Sequence, residues 1–70
     1  MVDIGNKIRQ IRIAKGVSQR HIQRKLNKYG SWLSQVESGS VQLYAKDIPL
    51  LADALGVEIA ELFDSELKWA

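Results

Sequence analysis

Seventy residues make one domain, expected to span 1–70 with a core at about 3–63 and a tail at 64–70; so short a chain buries a core that is marginal without a staple or a partner. The absence of cysteine excludes disulfides and thiolate metal sites, His21 is a lone histidine with no second ligand, and no apolar run reaches transmembrane length, so a soluble, unexported protein in a reducing cytoplasm is expected. Net charge is only +2, yet the first 28 residues carry eight basic side chains against Asp3 alone, net +7, while the rest carries Lys46 and Lys68 against seven acids, net −5.

Asp3 is a natural N-cap for a first helix over Ile4 to Lys15, whose Ile4, Ile8 and Ile11 keep helical spacing, and Gly16 ends it as a left-handed cap. Lys7 and Lys15 fall on its wet side. Ser18 caps a second helix, with an incomplete capping box because His21 stands where a glutamate would reach back. The stretch from Gln19 to Gly39, QRHIQRKLNKYGSWLSQVESG, reads as two short helices meeting at a turn. Ile22 and Leu26 stand four apart on the first, and Leu33, Val36 and Glu37 share one face of the second, so both turn apolar rows to a common core. Opposite that row lie Ser31, Gln35 and Ser38, side chains able to read another molecule's hydrogen-bonding edge without a charge of their own. Arg20, Arg24 and Lys25 lie on the exposed side of the second helix, where His21 is a surface residue rather than a ligand or base. Helix three is expected from about Gly30 to Ser38, capped by Gly39. Ser40 to Tyr44 is a loop, Pro49 belongs in the first turn of a fourth helix, Ile48, Leu51, Ala52 and Leu55 face the core, and Gly56 stops that helix. A final short helix, about Glu58 to Phe63, supplies Ile59, Leu62 and Phe63. Trp69 is either frayed or clamped to a partner or to the core.

The run Ile4-Gly5, Arg9, Arg12, Gly16-Val17-Ser18-Gln19, Ile22, Leu26, Leu33-Ser34-Gln35-Val36-Glu37 and Gly39, followed by Ala52-Asp53-Ala54-Leu55-Gly56-Val57 and Glu61-Leu62-Phe63, covers nearly the whole chain. It resembles the Cro/repressor-type (XRE-like) helix-turn-helix DNA-binding family, in which the second helix of the motif lies in the DNA major groove. The resemblance implies an all-α, compact five-helix, lambda-repressor-like domain with helices two and three forming the helix-turn-helix.

Residue by residue, the resemblance implies that Arg12 pairs with Glu37, tying helix one to the end of the recognition helix; the lesser alternative is a free surface arginine. Gln19 matches a glutamine that grips a phosphate and braces the recognition helix, while N–H groups at the same helix start donate to a phosphate oxygen. Gly30, Ser31, Ser34 and Gln35 match positions from which family members reach bases. Ser18, Gln19, Arg24, Trp32, Ser38, Ser40 and Gln42 are candidates for the DNA backbone. Trp32 either presses on a thymine methyl or the sugar-phosphate wall, or packs down onto Tyr29 or Tyr44.

Four residues depart from the family pattern. Gln23 stands where alanine is usual because helix three crosses close above it, and Asn27 replaces a left-handed glycine, a conformation asparagine tolerates. Lys28 replaces a small apolar residue, and Tyr29 replaces the serine or threonine N-cap of helix three. Tyr29 is then expected to fill the space beside Lys28, with Gly30 or Ser31 doing the capping. In the loop, Val41, Gln42 and Leu43 stand where bases and a proline are common, so an apolar Val41–Leu43 tip, with Val57 and Ile59, suits a dimer contact.

The basic half coincides with the helix-turn-helix, which favours a polyanion-facing side over ordinary solvated helix faces. The expected function is a sequence-specific transcriptional regulator, a repressor binding double-stranded operator DNA as a homodimer. The alternative is a protein-interaction module of the same fold, antitoxin-like, that has lost base reading. An enzyme is not expected: there is no paired carboxylate, no nucleophile with a base, no metal cluster and no phosphate loop, and neither a cofactor nor a small-molecule ligand is implied.

Overall fold

A computed structural model describes residues 4–63. The expectations on Asp3 as a cap, on the 64–70 tail and on Trp69 lie outside the described residues.

Four α-helices, α1 (Ile4–Lys15), α2 (Gln19–Leu26), α3 (Trp32–Ser38) and α4 (Ile48–Leu55), are joined by short 3₁₀ turns at Ala45–Asp47 and Ile59–Phe63; no strand occurs among the described residues. The fold is all-α as expected, but the fifth helix is a 3₁₀ turn, with the Glu61 N–H bonded to the Glu58 carbonyl at 3.0 Å and the Glu61 carboxylate accepting the Glu58 N–H at 2.9 Å. A second 3₁₀ turn, Ala45–Asp47, leads into α4 from the end of the expected Ser40 to Tyr44 loop. Among the described residues no helix is long and apolar enough to cross a membrane, and no group of metal-ligating side chains occurs.

The apolar spacings do what their periodicity implies. Ile8, Ile22, Leu33, Leu51 and Leu62 are fully buried, one from each α-helix and one from the last 3₁₀ turn, with Leu26, Val36, Ala52, Ala54 and Leu55 closing the core around them. Each of the eight leucine, isoleucine and valine side chains among them contributes about 1.5 to 3 kcal/mol relative to exposure, and the two alanines less. Pro49 occupies the first turn of α4, where its missing N–H leaves no bond unmade.

The core fixes the helix-turn-helix through two contacts. α1 packs on α3 and α2 on α4. At the first crossing Gly5 lies directly against the Val36 backbone, where a Cβ would overlap the Val36 carbonyl oxygen. The small residue is what lets α1 approach α3 so closely.

Between α2 and α3 the chain reverses at Asn27, which takes φ 57° and ψ 41° and ends α2 as a left-handed cap. Gly30 is also left-handed, at φ 64°, so it cannot join a right-handed helix, and α3 begins two residues later than the expected Gly30.

Candidate nucleic-acid interface

α3 is two-sided. Leu33, Val36 and Glu37 are buried, while Ser34, Gln35 and Ser38, together with the preceding Gly30 and Ser31, are exposed. Gln35 Nε2 donates to Ser31 Oγ at 2.8 Å, so these two stand together on the outer face. Ser38 Oγ donates to the Gln35 carbonyl at 3.1 Å and lies 2.9 Å from Ser40 Oγ, which places Ser38 and Ser40 at the far end of the same face. Gln42, in the following loop, is exposed as well. The result is an uncharged, amide- and hydroxyl-bearing surface, with donors and acceptors but no net charge.

The start of α2 and the anchor of α3 meet at one carboxylate. Glu37 Oε2 accepts from Arg12 Nε at 2.7 Å and Oε1 accepts from Arg12 Nη2 at 3.2 Å and from Gln19 Nε2 at 3.1 Å. Arg12 Nη1 also donates to the Val17 carbonyl at 3.0 Å. Glu37 thereby ties α1, the α1–α2 link and the first residue of α2 to the last turn of α3. Ser18 caps α2 by accepting the His21 N–H at 3.1 Å, which sets Gln19 at the helix start beside that carboxylate.

Arg20, Arg24 and Lys25 are exposed on α2. Arg20 and Arg24 line an open trough that continues through Asn27 and Lys28 to Tyr29 and Gly30. Gln19 lines it too, and of the lining residues Gln19, Arg24 and Gly30 are those expected at the interface from the sequence. Arg20 was legible in principle, standing four residues before Arg24 on the same helical face.

The departures from the family pattern are resolved by side-chain geometry. Gln23 Oε1 accepts the Leu33 N–H at 2.7 Å and Nε2 donates to the Gly30 carbonyl at 3.0 Å, so the amide stitches the turn where an alanine is usual. Lys28 Nζ lies 3.6 Å from the buried Asp47 carboxylate and 5.1 Å from the Trp32 ring centroid. Trp32 is half-buried and packed against the core, and the group over its ring is the Lys28 ammonium. Tyr29 does not fill the space beside Lys28: it is 83% exposed, because Lys28 already occupies that space through Trp32 and Asp47. Ser31 stands at the N-cap position of α3 without a side-chain cap bond, since Gln23 reaches the helix start first.

The apolar tip takes a different form from the expected one. Val41, Leu43 and Val57 are half-buried and packed against the core rather than projecting, whereas Ile59 is 46% exposed. Leu50 and Tyr44 are exposed apolar surface too.

The helix-turn-helix domain profile matches residues 3–63. Among solved structures, the restriction-modification controller protein C.AhdI from Aeromonas hydrophila is 34% identical, over 87% of this chain and 92% of that one, with a TM-score of 0.79. The clp gene regulator ClgR from C. glutamicum superposes with a TM-score of 0.82 over 89% of this chain and 80% of that one; at 24% identity that likeness speaks for the fold. No curated protein matches the sequence.

Proposed function

Because the chain belongs to the helix-turn-helix domain family, we propose that it is a DNA-binding transcriptional regulator that represses by occupying operator DNA as a homodimer. The observation that carries this reading is the two-sidedness of α3: Leu33, Val36 and Glu37 anchor the helix, and Ser31, Ser34 and Gln35 face outward, just beyond Gly30, where the trough lined by Arg20 and Arg24 ends along the chain. Bases are read by side chains that bond to groove edges, and phosphates are gripped by cations and helix starts, so the two rows divide that work.

Ser34 and Gln35, with Ser31 and the adjoining Gly30 backbone, are assigned to base edges. Arg24 and Gln19, with Ser18, Trp32, Ser38, Ser40 and Gln42 along the rim, are assigned to the sugar-phosphate wall. Phosphate neutralisation supplies affinity and α3 supplies the choice of sequence. Operator binding implies a cytoplasmic home. Among phage repressor, restriction-modification controller and antitoxin-like regulator, the controller reading has the support of the Aeromonas relative, whose name is that of a controller protein.

The protein-interaction alternative rests on Gln23, Lys28, Gly30 and the loop poor in basic residues; the first three have structural tasks in the turn, which leaves only the loop in its favour. Selection of bound fragments from random DNA tests the proposal: a recovered two-fold symmetric consensus supports it, and recovery of random sequence at all salt concentrations refutes it.

A further inference from the structure

We propose that Gln23 is a positioning residue for base reading: its carboxamide takes over the capping of α3 and so leaves Ser31 free to orient the amide of Gln35. This rests on the DNA-reading function proposed above.

α3 opens at Trp32 with Ser31 in the N-cap position, where a serine oxygen ordinarily accepts the N–H of the second or third helical residue. Here the second residue is Leu33, and its N–H goes to Gln23 Oε1 at 2.7 Å. The other end of the same amide, Nε2, donates to the Gly30 carbonyl at 3.0 Å. One planar group thus holds the chain on both sides of the point where it enters the helix.

Ser31 Oγ is consequently available on the outer face, where it accepts from Gln35 Nε2 at 2.8 Å. A glutamine amide has two N–H donors and one oxygen acceptor. With one N–H engaged by Ser31, the remaining N–H and Oε1 are the pair that adenine N7 and N6 take in the major groove. Fixing that amide before DNA arrives lowers the ordering cost of the contact.

The arrangement depends on Gln23. Without its amide, the Leu33 N–H loses its acceptor, and Ser31 Oγ, at the N-cap position, is drawn to it at the expense of Gln35. Gln23 acts through Ser31 and touches no base itself.

The test measures binding of the full chain to its selected site and to random DNA, as a ratio, in three variants. Gln23→Met keeps the length and apolar stem of the side chain without the amide; it should lower the ratio roughly tenfold, the scale of one lost bidentate base contact, with the salt dependence unchanged. Gln23→Glu keeps the acceptor for Leu33; it should weaken binding to both DNAs through its charge and hold the ratio near that of the unmutated chain. Ser31→Ala should lower the ratio while leaving the urea midpoint where it was, since Ser31 caps nothing. An unmoved ratio in folded Gln23→Met overturns the proposal. So does a fall in the urea midpoint of Ser31→Ala of the size a lost cap produces, a result that stands even if Gln23→Met fails to fold. An unmutated chain with no preferred sequence overturns the DNA-reading function itself and this inference with it.

Discussion

Arg12 and Glu37, 25 residues apart in sequence, form a two-pronged pair in which Nε meets Oε2 at 2.7 Å and Nη2 meets Oε1 at 3.2 Å. Glu37 is almost wholly buried and Arg12 is mostly so. Such a pair need not outperform an apolar substitute, but removing one partner strands the other in a poorly solvated place. We expect Arg12→Ala to lower stability by about 3 kcal/mol, because it leaves the Glu37 carboxylate with Gln19 alone. Glu37→Ala should cost less, since Arg12 keeps the Val17 carbonyl and some access to water. The double variant should cost less than the sum, and a urea-unfolding cycle with additive effects would show the two residues to be independent.

Gly5→Ala tests the closeness of α1 to α3. The added Cβ meets the Val36 carbonyl oxygen and presses on the Glu37 carbonyl oxygen at 3.2 Å, and both are backbone atoms in the last turn of α3. Neither can yield as a flexible side chain would. The gain in helix propensity, about 1 kcal/mol for alanine over glycine, is outweighed by overpacking of about 1 to 3 kcal/mol and by displacement of α3. Unfolding midpoints check the sign, and a more stable Gly5→Ala would mean the helices are farther apart than this packing has them.

Lys28 connects the turn to α4 by way of Asp47 at 3.6 Å and the Trp32 ring. The pair is intermediate between an exposed and a buried one, so Lys28→Ala should cost about 1 to 2 kcal/mol. The loss should shrink when Asp47 is already replaced by alanine. Trp32 fluorescence should report the same event, with an altered emission when the ammonium leaves the ring face. Equal costs of Lys28→Ala with and without Asp47 would separate the two groups.

What could be read from the sequence was what repeats at helical spacing. Ile8, Ile22, Leu33, Val36, Leu51 and Leu55 are buried because i, i+3 and i+4 positions share a face, and no other knowledge is needed to see it. The ends of α1, α2 and α4 were equally plain, marked by Gly16, Asn27 and Gly56. The start of α3 was not, because the group that caps it comes from Gln23, ten residues before Leu33. Capping across a turn leaves no local signature, and rules for caps look one to three residues away. The role of Lys28 was hidden for the same reason: its partner Asp47 is nineteen residues on, and a lysine reads as solvated until its acid is found. The half-burial of Val41 and Leu43 was missed because a loop with alternating apolar residues can dock on its own core as readily as on another molecule.

Self-association should depend on Ile59, the most exposed of the residues assigned to the interface between copies. Ile59→Asp should shift the protein toward monomer in light scattering and leave its unfolding midpoint little changed. Val41→Asp, at a half-buried position packed on the core, should instead unfold the chain. A two-fold dimer presents its recognition helices to successive major grooves about 34 Å apart, so monomerisation should lose binding to the full site more than to a half-site. Monomers both free and on DNA would rule out the dimeric reading.

Gln35 carries the sharpest expectation about sequence reading. It stands four residues after Ser31 on the exposed face of α3, bonded to that serine, and opposite Leu33 and Val36, which the core holds. The amide can bond both N6 and N7 of adenine, whereas a serine hydroxyl fits several bases, so most discrimination should rest on Gln35. Gln35→Ala should weaken binding to the preferred site by about 1 to 3 kcal/mol and relax the preference at one base pair per half-site. Arg24 is exposed on α2, along the trough, and is assigned to phosphate. Arg24→Ala should therefore weaken binding to every sequence alike and reduce the slope of log K against log salt by about one. Competition binding at two salt concentrations separates the two effects. If Gln35→Ala binds preferred and random DNA in an unchanged ratio, α3 enters the groove in a different register and another of its exposed side chains reads the base.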